Sequence, residues 1–443
     1  MNWSDFGHKL TARSGILELM DDLGKAMQSP GKKYMLGGGN PAAIPEVNLV
    51  WRRRMQEILQ NGDEFERGIG NYDTPQGKQS FLESMAGLLH REYGWDIGPE
   101  NIGVTNGSQS AFFMLFNLLS GRLDAERGQG VSHIAPAGHD TSIGHSKILL
   151  PFTPEYIGYA DQGISEDHFV SQRPVIELLG EYEFKYRVDF SNLNITPDIG
   201  AICVSRPTNP TGNVLTDEEI RSLDRLAQEN GIPLMIDNAY GTPFPNIIFT
   251  QAEPFWNPNT ILGLSLSKLG LPSTRTGILV ARPEVIEAVS AVNAITSLSN
   301  GTFGQLIAGP MLESGEMLSL SNETIQPFYR ERSRQALSAM QHRFEGLPWR
   351  VHKSEGALFL WVWFDHPGID TFELYQRLKK HNVIIVPGRY FFYGMDNETR
   401  SFDDWMHRNQ CFRMNFAGDP QMIDEALKII AGEVKMLLRE AGL

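Results

Sequence analysis

The sequence predicts an α/β protein: a mainly parallel central sheet with helices on both faces, plus a smaller α+β unit. Two observations carry this expectation. Short continuous apolar runs alternate with helical patterns through the middle of the chain, as strands buried on both faces do. The last third changes character, with long helical patterns around short β-like runs.

Asn101–Thr105 reads as a strand, followed by Asn-Gly-Ser-Gln and a helix from Ser108 to about Leu119. Ala201–Val204 is a second apolar run, ending at Pro207. A helix opens near Thr216, where Thr-Asp-Glu-Glu has the form of a capping box with Glu219. Asn230-Gly231 stops it. Pro233–Ile236, Ile261–Leu264 and Gly277–Ala281 read as further buried strands. A long helical pattern starts near Glu323, β-like runs fall at Leu358–Phe364 and Val383–Val386, and an amphipathic helix spans about Pro420 to Glu440. The expected division is an N-terminal segment, 1–55, packing with the small unit, a large unit, 56–322, and the small unit itself, 323–443. In such sheets function collects where strands end and loops begin.

The 443 residues are 41% hydrophobic and 21% charged, an ordinary globular composition able to bury a sizeable core. A formal net charge of −14 argues against nucleic acid as a partner. It leaves room for small anions, which local arginines can bind. Two cysteines, Cys203 and Cys411, both in apolar runs, read as buried thiols in a reducing compartment. The polar N-terminus carries no signal pattern, and the apolar run Ala111–Leu119 is far too short for a membrane span. A cytoplasmic protein with no membrane partner is expected. The stretch Arg127–Ser146 is rich in Gly, Ser and His, with His133, His139 and His145 every six residues. With no cysteine or carboxylate cluster beside them, a surface loop is expected and no metal.

Four strand-end motifs carry chemistry. Ser265–Gly277 sets Lys268 among small and apolar residues. Burial lowers a lysine's pKa, and the neutral amine attacks aldehydes. Ser265, Ser267 and Arg275 bracket it with hydroxyls and a guanidinium suited to phosphate. Taken alone, Ser-x-Ser-Lys describes an exposed loop lysine equally well. Ile236–Gly241 ends a buried strand on Asp237, whose carboxylate needs a cationic partner such as a pyridinium nitrogen, unless it caps a helix starting at Asn238. Tyr240 follows three residues on. Arg206–Gly212 is a turn by its Asn-Pro and Thr-Gly pairs, with Asn209 a candidate hydrogen-bond partner of a ligand oxygen. Thr105–Ser110 opens a helix at Ser108 and Gln109, whose free N–H groups make an anion site or a simple cap. Gly37–Pro41 is a loop where backbone can lie close to a ligand. Arg413, inside the apolar run Cys411–Phe416, demands an anion: a protein carboxylate or the α-carboxylate of an amino acid.

In this order, these motifs resemble the class I aminotransferases of pyridoxal-phosphate (PLP) fold type I, the aspartate-aminotransferase-like fold, over nearly the whole chain. Leu-Gly-Gly-Gly-Asn-Pro-Ala, Asn-Tyr-Asp-Thr-Pro-Gln-Gly-Lys and Pro-Glu-Tyr-Ile-Gly-Tyr-Ala-Asp are similar to a bacterial branch passing an amino group between L-valine and pyruvate by a ping-pong mechanism. The resemblance implies PLP as cofactor, with Lys268 as Schiff-base lysine and proton shuttle. It implies Asp237 at the pyridinium, Tyr240 and Asn209 at the phenolic oxygen, and Ser265, Ser267, Arg275, Ser108 and Gln109 at the phosphate. Tyr156 would stack on the ring, with Tyr159 as the alternative. Arg413 would bind the substrate carboxylate, helped by Gly38, Gly39 and Asn40, with Asn209 close by. Tyr72 would reach the neighbouring subunit's cofactor, so a homodimer with interfacial active sites is implied. The implied partners are small amino acids and 2-oxo acids. The Gly- and His-rich stretch before Ile148 is longer than the family pattern.

The same cofactor cradle also serves broad-range or aromatic aminotransferases and PLP lyases. A regulator built on this fold would need a DNA-binding segment, and about 35 residues before the first glycine loop are too few. No Gly-x-Gly-x-x-Gly turn of a dinucleotide-binding protein follows a strand.

Overall fold

The computed structural model describes residues 2–12, 14–28, 30–122, 144–165, 167–395 and 405–442. The larger of its two main sheets runs in the order Ile102–Thr105, Gly277–Val280, Thr260–Ser265, Leu234–Asp237, Ile199–Ser205, His145–Leu150, Gly121–Arg122, with Phe169–Ser171 also on His145–Leu150. The central neighbours from Thr260–Ser265 to His145–Leu150 are parallel. Gly277–Val280 is antiparallel to both of its neighbours. Every expected strand of the large unit lies in this sheet.

Alternation along each strand splits the core in two, because successive side chains point to opposite faces. Ile148, Ala201, Cys203, Met235, Ile261 and Leu279 pack on one face, with Phe112 and Leu115 of helix Ser108–Leu119. Ile202, Val204, Leu234, Ile236, Leu262 and Ile278 pack on the other. Both cysteines are buried and free. Thr216 and Glu219 form the expected capping box on helix Asp217–Glu229.

The second sheet runs Val386–Pro387, Cys411–Asn415, Phe359–Phe364, Trp349–His352, Glu183–Arg187, Val175–Leu179. Its last two strands form a hairpin from the middle of the chain, so the expected division at 56–322 does not hold there. The hairpin joins through Val351 opposite Glu183 and His352 opposite Phe184. Phe184 and Tyr186 are fully buried, and Trp361 donates to the Tyr186 hydroxyl at 2.9 Å. A buried ion pair, Lys185 to Glu355, fastens the same hairpin; Lys185 also donates to the Val214 carbonyl at 3.0 Å. The N-terminal segment meets the C-terminal part of the chain, with Tyr34–Met35 parallel to Val383–Ile384.

Among the described residues no helix is long and apolar enough to cross a membrane. His145 lies in a strand, while His133 and His139 fall outside the described residues.

Removing Lys185 leaves buried Glu355, among the described residues, with only the more exposed Lys353 at 3.4 Å and the Val214 N–H at 3.2 Å. Lys185→Met is expected to lower stability in urea unfolding by about 2 kcal/mol, and adding Glu355→Gln should return part of that loss.

Candidate active site

The parallel strands end along one edge. The register sets Ser205 and Gly263 opposite Asp237, Ser265 opposite Gly277, and Gly277 opposite Thr105. The loops leaving that edge surround a cavity of about 400 Å³.

Lys268 stands in the short turn Ser267–Leu269, pinned where Trp51 Nε1 donates to the Leu269 carbonyl at 2.8 Å. Its Nζ donates to the Gly39 carbonyl at 2.7 Å and lies 5.1 Å from the centre of the Tyr240 ring. Burial lowers its pKa to about 8, with Arg413 and Arg275 pushing the same way and Asp237 opposing.

Asp237 ends its strand. One carboxylate oxygen accepts from the Tyr159 hydroxyl and the other from the Ala239 N–H at 2.9 Å. Burial raises its pKa, against the pull of Tyr159, Ala239 and Lys268. A turn, not a helix, follows it, so the helix-cap alternative falls away. Tyr240 is buried against Phe359. Tyr156 lines the cavity edge-on to Tyr159, with ring centres 5.1 Å apart.

The start of helix Ser108–Leu119 supplies an anion cradle. The first helical hydrogen bonds run from Ser110 and Ala111 to the Gly107 carbonyl. The N–H groups of Ser108 and Gln109 have no acceptor among the described residues. Gly107 has φ +89°, and a Cβ there would lie 2.2 Å from Arg275 Nη2; one on Gly277 would lie 2.6 Å from the Ser108 nitrogen. Ser265 and Ser267 line the same cavity. Unpaired N–H groups, hydroxyls and a guanidinium, kept open by two glycines, fit a phosphate. These donors, Asp237 and the desolvated lysine together fit PLP.

Arg413 comes from the second sheet and is 2% exposed. It donates to Asn209 Oδ1 and to the Gly37 carbonyl, each at 2.7 Å, and its Nε has no partner among the described residues. Its guanidinium lies 4.2 Å from the centre of the Phe359 ring. Burial lowers its pKa to about 10. Its protein partners are neutral, so the protein-carboxylate alternative is not realised among the described residues. Among the described residues the cavity lining holds Lys268, Arg275 and Arg413 against a single carboxylate, Asp237.

The cavity thus gathers Lys268, Asp237, Tyr240, Asn209, Tyr156, Ser108, Gln109, Ser265, Ser267, Arg275, Gly39, Asn40 and Arg413. Gly38 does not line it, and its carbonyl accepts from Asn415 Nδ2 at 2.8 Å. Tyr72 is 81% exposed and lies outside it. Sequence reasoning missed three features. Tyr159 binds Asp237. Buried Glu155 accepts from the Ser205 hydroxyl and from the Tyr156 N–H at 2.8 Å, and burial raises its pKa to about 7. Apolar residues of helix Gly15–Gln28 line the cavity. A carboxylate inside an apolar stretch was the available signal for Glu155.

Fold and site define a PLP enzyme of fold type I, an aspartate-aminotransferase-like protein. A family model described as aminotransferase class I and II matches residues 181–430. The chain is 47% identical over 441 residues to the valine–pyruvate aminotransferase of Escherichia coli (strain K12), covering 100% of each. The solved valine–pyruvate aminotransferase of Salmonella typhimurium LT2 matches with a TM-score of 0.84 at 46% identity, over 96% of this chain and 100% of that one. Pyrococcus horikoshii kynurenine aminotransferase, at 21% identity and a TM-score of 0.73 over 95% of this chain and 94% of that one, shares the fold. The chain belongs to the class I and II aminotransferases, which are PLP-dependent enzymes.

The lowered Lys268 pKa has a stability consequence. Between about pH 8 and the unfolded value of 10.5, the unfolded chain holds a proton that the folded chain lacks, so stability rises with pH across that window. Below it the full cost of the buried charge is present. Lys268→Met is therefore expected to stabilise the cofactor-free protein at pH 7, by an amount that shrinks as pH rises through the window. Thermal melts at several pH values check this.

Proposed function

We propose that this chain moves the amino group between L-valine and pyruvate, giving 2-oxoisovalerate and L-alanine, in two half-reactions. The observation that carries the reading is Arg413, a buried guanidinium whose partners among the described residues are all neutral, sharing a cavity with Lys268 and Asp237. It is a receptor for a carboxylate beside a lysine tuned toward its neutral form. The choice of valine and pyruvate rests on the names of the Escherichia coli and Salmonella proteins.

Ser108, Gln109, Ser265, Ser267 and Arg275 would hold the cofactor phosphate, Asp237 its ring nitrogen, Tyr240 and Asn209 its phenolic oxygen, and Tyr156 the ring face. When bound, PLP supplies an electron sink for charge developing at the amino acid's α-carbon. Arg413 would hold the α-carboxylate in a forked geometry, orienting the α-hydrogen toward Lys268. Lys268 Nζ would take that proton, a task suited to an amine with a pKa near 8. Tyr159, by donating to Asp237, would keep the carboxylate aimed into the cavity.

In the purified holoenzyme, L-valine is expected to bleach the long-wavelength absorbance of the bound cofactor and pyruvate to restore it. Bleaching by a different amino acid alone would keep the enzyme class and overturn the substrate. Lys268→Ala should fold and lose turnover, and appreciable residual turnover would sink its assigned role. Arg413→Ala should lower kcat/KM on the order of 100-fold by removing charged hydrogen bonds to the carboxylate.

The homodimer is proposed on surface grounds. Tyr72, Ile69, Ile295 and Leu298 are exposed. Their segments are tied together by Thr302 to Asp73 at 2.9 Å and Asn300 to the Pro75 carbonyl at 2.9 Å. Exposed apolar side chains on segments tied together in this way support the reading of this surface as an interface. Sedimentation should give a dimer, and Tyr72→Phe should weaken cofactor affinity roughly tenfold, the loss of one hydrogen bond to phosphate, without changing the dimer.

A further inference from the structure

Glu155 is 3% exposed and does not itself line the cavity. Its side-chain partners among the described residues are the Tyr156 N–H at 2.8 Å, the Ser205 N–H at 3.1 Å and the Ser205 hydroxyl, none of them a cation. A buried carboxyl without a counter-charge is costly unless its hydrogen bonds are made. Here one oxygen takes two donors and the other takes one. Both residues held in this way line the cavity. Tyr156 is the residue assigned to the ring face. Ser205 ends its strand directly opposite Asp237. Burial raises the Glu155 pKa and the charge of Asp237 adds to the rise, so the two carboxyls feel each other across that strand end.

The same two residues are tied to the elements that carry Arg413. The Glu155 N–H donates to the Phe391 carbonyl at 3.0 Å, and the Tyr393 hydroxyl donates to the Tyr156 carbonyl at 2.9 Å. Phe391 closes the short turn Gly388–Phe391, which follows strand Val386–Pro387 beside Arg413. The centre of its ring lies 5.3 Å from the Arg413 guanidinium, and the ring stands edge-on to Trp361. Three parts of the site therefore meet at Glu155: the ring face, the strand end of Asp237 and the packing behind Arg413. An uncharged side chain of the same size could fill this volume, but it could not accept from all three donors.

We propose that Glu155 is a positioning residue of the cofactor site: its carboxyl fixes Tyr156 against the ring face and keeps that face in register with Asp237 and Arg413. This rests on the placing of Tyr156 on the ring given above.

The test uses the holoenzyme and reads the circular dichroism of the long-wavelength band of bound PLP, which reports how the ring is held. Tyr156→Leu is the reference and is expected to lose most of that signal. Glu155→Gln keeps the shape of the side chain and turns one acceptor atom into a donor. It is expected to lose signal in the same direction, to speed PLP release on dilution about tenfold through the lost hydrogen bond to a charged group, and to weaken calorimetric binding of isovalerate at Arg413. Glutamate serving stability alone would give a Glu155→Gln protein with a lower urea midpoint but with wild-type signal and PLP release within twofold of wild type; that result overturns the inference. Should Glu155→Gln not fold, Ser205→Ala, which removes only the hydroxyl donating to Glu155, carries the test. A smaller loss of signal in the same direction supports the inference, and a wild-type signal overturns it. Tyr156→Leu with an unchanged signal would instead overturn the placing of Tyr156 on the ring, while a signal lost in Tyr156→Leu and kept in folded Glu155→Gln overturns the inference alone.

Discussion

Among the described residues three cations and one carboxylate line one cavity, and the rest of the structure is organised around that imbalance. Lys268 answers by lowering its pKa toward neutrality. Arg413 has no comparable escape, because a guanidinium stays charged at any physiological pH. It is held instead by an amide oxygen, a backbone carbonyl and the faces of Phe359 and Phe391. Each is a partial negative charge, and none is a full one. A cavity built this way favours ligands with anionic groups, and a phosphate plus an α-carboxylate supply two.

Holding like charges together requires supports that do not yield. The sheet provides them at one edge: Asp237 is fixed by its register with Ser205 and Gly263. Arg413 arrives from the other sheet, so the two must be locked in register. The hairpin Val175–Arg187 makes part of that lock. It leaves the large unit to join the second sheet, and Lys185 ties it to Glu355 and to the Val214 carbonyl beyond the Asn209 turn. Gly212, with φ +69°, completes this seam, since a Cβ there would lie 2.7 Å from the Gly356 carbonyl. Glu155 does similar work within the large unit by bonding both Tyr156 and Ser205.

The strands and motifs legible in the sequence were those whose signals are local. A strand end followed by Asp-Asn-Ala-Tyr or Ser-Lys-Leu-Gly shows the chemical groups and their place on the sheet within one short window. Thr216 with Glu219 is legible for the same reason. The hairpin was not legible as part of the second sheet, because nothing in Val175–Arg187 records that Trp349–His352, more than 150 residues on, will pair with it. Tyr159 was read as a rival for stacking on the ring, while its hydroxyl reaches Asp237. Sequence spacing fixes that the two tyrosines lie close, and only packing decides which faces the cavity and which turns to the carboxylate. Gly38 lies in a correctly read loop, yet its carbonyl is taken by Asn415, a pairing across 377 positions.

The same division separates the charged groups of the cavity from its apolar wall. The groups that would hold cofactor and carboxylate are fixed by sheet register and by glycines that tolerate no Cβ, so few changes there leave the site intact. The stripe Ile16, Leu19, Met20 and Leu23 belongs to a helix outside both main sheets, held at its acidic side chains by Asp22 and Glu18. A side chain on that stripe can change volume or polarity without shifting any strand end. The interactions that anchor the helix and the surface it offers to the cavity involve different residues, so one can vary while the other stays. A fold arranged in this way can keep its charged groups fixed while the apolar wall of the cavity varies.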